Sequence, residues 1–162
     1  MILVLTLSAL LILFCIAFQD FKERKVYWFL FPSLGLNLSV LYFSTVPVVE
    51  IFWLNILLNS LIISLVLLSI FLVTKILFKK PFLDYSFGLG DLLFFYAMAL
   101  GFPTITFIVL FANALLFAFI VFLVLKKYQK IKTVPLAGLM SIFLFLVLSI
   151  SIFIQEPSLY TY

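Results

Sequence analysis

The chain has 162 residues, of which 67% are hydrophobic and 10% charged, and its mean hydropathy is +1.42. With 22 phenylalanines and so few charges it cannot cover a water-soluble globule with polar surface, so it hides its apolar surface in lipid as an integral membrane protein. The net charge of +4 requires no nucleic-acid partner, because lysines that fix orientation and meet anionic headgroups account for it.

Backbone groups in hydrocarbon must pair internally, which leaves helices or a closed barrel, and continuous apolar runs without dyad alternation favour helices. The first run, Ile2 to Phe18, has roughly the length of a signal peptide. It lacks a basic leading region and a small-residue cleavage site, so it is expected to be retained. Cys15 lies inside it and is expected to pack there; as the single cysteine it can form no disulfide within one chain and no paired-cysteine zinc site. Further apolar runs follow at about 27 to 45, 51 to 74, 91 to 101, 104 to 125 and 134 to 154. The breaks fall at Pro47, at Lys79-Lys80-Pro81, at Gly101-Phe102-Pro103 and at the lysines before Pro135. The expected fold is all-α, a polytopic bundle of about six transmembrane helices forming a single domain over residues 1–162, with the fourth run short, tilted or continuing the preceding loop into the membrane. Asn37, Asn55, Asn59 and Asn113 are expected to join helices by hydrogen bonds, and Tyr85 and Tyr96 to be interfacial aromatics.

The basic residues fall into three groups: Lys22, Arg24 and Lys25; Lys75, Lys79 and Lys80; and Lys126, Lys127, Lys130 and Lys132. With six spans, all three groups lie on one side, while the opposite loops carry only Glu50 and Glu156. The positive-inside rule then puts the basic loops in the cytoplasm and both termini outside, in a multi-pass protein of the cytoplasmic membrane.

The same topology brings Asp20, at the end of the first run, and Asp91, at the start of the fourth, to one membrane face. Taken alone, Asp20 reads as an interfacial charge beside basic neighbours. Asp91 follows Gly88-Leu89-Gly90 and reads equally as a helix N-cap or a functional group, with the glycines allowing positive backbone dihedrals and close approach of another chain. As a pair they read differently. Two carboxylates held close cannot both ionise cheaply, so one keeps a proton while the other draws a proton from water. That is acid-base peptide hydrolysis without histidine, of which the chain has none, and without cofactor or metal. Asp84, seven residues before Asp91, is a rival that lacks the glycine turn.

These residues carry a resemblance. "GLGD", Gly88 to Asp91, is similar to the GxGD signature of intramembrane aspartyl proteases, and "DFKER", with Arg24 four residues after Asp20, resembles the first aspartate motif of the type IV prepilin peptidases. "VPLAGLM" from Val134 resembles the proline-led start of that family's last helix. The chain departs from the family at Val26-Tyr27-Trp28, where a hydrophobic-Pro-Asn sequence is common, and it has neither the cysteine-bearing segment of the larger enzymes nor support for their methylation activity. The resemblance implies the short, peptidase-only form: an aspartic endopeptidase with Asp20 and Asp91 catalytic and Arg24, Gly88 and Gly90 supporting. It would act on prepilin-like proteins with a short basic leader ending in a small residue, followed by an apolar helix. The alternative functions are a small proton- or cation-coupled transporter or channel component using the same aspartates, and a catalytically inactive assembly protein. A transporter often shows inverted repeats and paired broken helices, and no such repeat is visible.

Overall fold

A computed structural model describes residues 1–78, 88–128, 135–153 and 159–160. Among these the chain is all-α: α1 (Ile2–Glu23), α2 (Leu30–Phe43), α3 (Val49–Val73) running into a π-helical turn (Thr74–Phe78), α4 (Leu89–Ala99), α5 (Thr104–Tyr128) and α6 (Leu136–Phe153). Prolines punctuate the starts as their chemistry dictates. Pro47, Pro103 and Pro135 stand just before α3, α5 and α6, and Pro32 occupies the first turn of α2, where a missing N–H costs no intrahelical bond.

The helices pack in a closed ring, α1 on α2, α2 on α4, α4 on α3, α3 on α5, α5 on α6 and α6 on α1, with a further contact of α2 on α3. α4 also touches α5 and α6, so it is the most enclosed element, with Phe94, Phe95, Ala97, Met98 and Ala99 buried. The outward faces carry exposed Leu, Ile, Val and Phe along α1, α3 and α5, a surface suited to lipid chains.

Among the described residues six apolar helices are present, of which four, α1, α3 with its π turn, α5 and α6, are long and apolar enough to cross a membrane. The 14 residues of α2 and 11 of α4 reach about 21 and 17 Å, against about 30 Å of hydrocarbon. The run expected from residue 27 begins as a helix only at Leu30, because Arg24 ends α1 in the left-handed conformation (φ 56°) and the Tyr27 N–H donates back to Gln19 Oε1 at 3.1 Å. α4 is short and packs against α2, α3, α5 and α6.

Two sets of contacts fix the ends of the bundle. At one end, the finish of α1 and the start of α4 both meet the start of α6, and Phe31 of α2 packs beside Gly90. At the other, Asn55 near the start of α3 donates to the Tyr42 hydroxyl of α2 at 2.8 Å and accepts from the N–H and hydroxyl of Thr104 at the start of α5. Asn59 donates to the carbonyls of Ala99 and Phe102, at the finish of α4, and Tyr160 stacks on Tyr42 and Phe102. Successive helices therefore alternate in direction, and Lys22, Arg24, Lys25, Lys75 and Lys126 all lie toward the first end. Lys79, Lys80, Lys130, Lys132 and Glu156 fall outside the described residues.

Asn37, Asn55 and Asn59 do bond between helices, Asn37 through Ser8 Oγ of α1 at 2.6 Å. Asn113 does not: it faces outward and donates to Val109 O of its own turn. The hydroxyl of Tyr96, expected to be an interfacial aromatic, pairs with Ser64 Oγ of α3 at 2.8 Å in an exposed contact. Tyr85 lies outside the described residues. Cys15 is exposed on the outer face of α1 rather than packed, because Leu13, Ile16 and Ala17 take the inward positions of that turn.

Candidate functional site

Asp20 and Asp91 meet at the N-terminus of α6. A helix begins with backbone N–H groups that have no intrahelical acceptor, and α6 points two of them, on consecutive residues, at the two carboxylates. The Ala137 N–H donates to Asp91 Oδ1 at 2.8 Å, and the Gly138 N–H donates to Asp20 Oδ2 at 2.6 Å. Both side chains are partly buried, and the charge of Asp20 acts on Asp91.

Three local features set this geometry. α1 runs one turn further than the apolar run of residues 2–18, so Asp20 is still helical and faces α6. Pro135 stops the chain ahead of α6, and its carbonyl takes the Leu139 N–H at 3.0 Å, which closes the first turn and leaves the Ala137 and Gly138 amides facing out of the helix end. α4 starts at Gly88, whose extended conformation (φ −75°, ψ 140°) makes it the N-cap, with Asp91 three residues on in the first turn. Asp91 is thus not the N-cap of its own helix. It touches the Gly88 backbone and reaches across to cap α6.

Gly88 and Gly90 have ordinary negative φ values, so the expected positive dihedrals are not what these positions use. Close approach is. A Cβ on Gly90 would lie 3.2 Å from the edge of the Phe31 ring, and one on Gly88 would lie 3.0 Å from Asp91 Oδ2. Arg24 is the sole described non-glycine residue with positive φ, a conformation that costs about 1 kcal/mol for an L-residue. The turn it makes keeps its guanidinium within electrostatic reach of Asp20. Asp84 lies outside the described residues.

The amides of Ala137 and Gly138 are the partners that the sequence did not disclose. Backbone donors have no residue signature; only the proline-led start of "VPLAGLM" marked the place. Among the described residues, no three His, Cys, Asp or Glu side chains cluster as a metal site would need.

Fold and site together define an all-α bundle of membrane-compatible helices with a paired-carboxylate centre at one end. Comparison with family models, with curated proteins and with solved structures found no match.

Proposed function

We propose that the protein is a membrane-embedded aspartic endopeptidase that removes the leader of prepilin-like proteins at the cytoplasmic membrane face. The observation that carries the proposal is the convergence of Asp20 and Asp91 on adjacent amides of α6. Capping alone accounts poorly for it. One carboxylate at a helix N-terminus is rewarded by the open amides and the helix dipole, whereas a second one beside it adds like-charge repulsion in a partly buried place. A paired site that shares a proton turns that cost into acid-base capacity.

In the proposed reaction the ionised aspartate takes a proton from a water whose oxygen attacks the scissile carbonyl. The protonated partner donates a hydrogen bond to the developing oxyanion, and the leaving amine receives a proton as the C–N bond breaks. Titration belongs to the pair, so the two roles exchange within a cycle. Gathering of the basic residues at the same end as the dyad supports a cytoplasmic placement of the site. The apolar outer faces allow a substrate's apolar helix to approach through lipid.

Co-expression with a prepilin tests the substrate. The expected outcome is leader removal that is lost when the substrate's apolar stretch is replaced by a soluble helix while the leader is kept; undiminished cleavage of that chimera would sink the substrate assignment. Reporters fused after Lys25, Lys80 and Lys130 are expected to read as cytoplasmic, and fusions near Pro47 and Tyr162 as external. A cytoplasmic C-terminus would contradict the topology.

A further inference from the structure

We infer that Gly138 is a positioning residue that sets the spacing of the aspartate pair, with the first turn of α6 serving as the gauge. The catalytic part of this inference rests on the peptidase reading; the geometric part stands without it.

Each carboxylate is tied to one of two consecutive amides, and α1 and α4 do not pack on each other, so the separation of the pair is set through the first turn of α6. The two ties differ in what they demand. Ala137 keeps its side chain while its N–H holds Asp91. Gly138 cannot: a Cβ there would stand 2.8 Å from Asp20 Oδ2, 3.0 Å from Asp20 Cβ and 3.3 Å from Asp20 Cγ. Rotating the carboxylate away would give up its bond to the Gly138 amide, and the Asp20 Cβ is fixed to α1 and cannot turn aside. Any side chain at 138 therefore pushes α1 and α6 apart at the dyad or breaks the tie to Asp20.

Gly138 lies inside α6, past its first residue, with an unremarkable negative φ. In a helix interior alanine is ordinarily preferred to glycine, so a residue with no further role would gain stability on replacement by alanine. Asp20 reverses that preference.

The test is Gly138→Ala in the full-length membrane protein, read in two ways. Kinetically, kcat on a prepilin substrate is expected to fall roughly ten- to a hundredfold with KM within about twofold of wild type, because the reacting groups are displaced and the substrate-binding faces are not. Thermally, Gly138→Ala is expected to lower the unfolding temperature in detergent, and to leave it unchanged or raise it in an Asp20→Gly background, where the opposing side chain is gone. An unaltered kcat, or a raised unfolding temperature with Asp20 in place, overturns the inference. If Gly138→Ala does not accumulate in the membrane, Asp20→Gly should restore it, and failure to restore it overturns the inference equally. Should the wild-type protein cleave no prepilin, the thermal comparison still decides the spacing, which separates failure of the inference from failure of the peptidase reading.

Discussion

Asp20→Asn and Asp91→Asn are each expected to reduce cleavage of a co-expressed prepilin by about a thousandfold or more, with the membrane protein accumulating normally. Asparagine nearly preserves the size of the side chain and keeps a carbonyl oxygen that can still accept the Gly138 or Ala137 N–H, so the ties to α6 survive. What is lost is the ability to hold or take a proton. The double mutant should be little worse than either single one, since groups that act as a unit give non-additive losses. Asp84→Asn should retain most activity. Substantial cleavage by either single dyad mutant would refute the assignment, and additive losses would indicate that the aspartates act separately.

Asn55→Leu should produce the largest stability loss among the polar substitutions, about 2 kcal/mol or more, measured by unfolding in detergent or mixed micelles. Its amide joins three helices at the end opposite the dyad, donating to the Tyr42 hydroxyl of α2 and accepting from the N–H and hydroxyl of Thr104 at the start of α5. Leucine is close in volume and suits the apolar surroundings, so the loss reads out the stranded Thr104 and Tyr42 groups and not a cavity. Asn113→Leu provides the contrast: Asn113 bonds only within its own turn on the outer face, and its replacement should change stability by a few tenths of a kcal/mol. Equal effects of the two substitutions would show that the inter-helical network carries no particular weight.

The helices were legible because lipid solvation leaves a coarse signal. Long apolar runs broken by prolines located all six, and both aspartates came out at one end, as alternation of direction required. Bilayer-crossing length was harder to read. The stretch from Tyr27 to Phe29 is apolar, yet it stays outside the helix, because the left-handed Arg24 and the Gln19–Tyr27 bond are decided by local backbone geometry that hydropathy does not register. α4 is as apolar as its neighbours but short, and composition does not tell a helix enclosed by protein from one facing lipid. At the site, the carboxylates announced themselves by scarcity and the glycines by their spacing. The reason for the glycines was misjudged, since Gly88 and Gly90 serve close contacts at ordinary dihedrals. The amides of Ala137 and Gly138 stayed hidden because a backbone donor is the same in every residue but proline, and the fold alone selects which ones are left open. Cys15 and Asn113 were misplaced for a related reason: α1 and α5 are apolar on all sides, so periodicity does not mark an inward face.

The central claim is that this chain alone hydrolyses a peptide bond with its aspartate pair. The most direct measurement incubates the purified wild-type protein and its Asp91→Asn variant, each reconstituted in liposomes without added metal or cofactor, with a synthetic prepilin spanning leader and apolar helix, and follows the products by mass spectrometry. The wild type is expected to release the leader at a single bond and the variant to release none. An intact substrate with wild-type protein, together with proton or cation flux that Asp91→Asn abolishes, would contradict the claim and assign the same aspartates to transport.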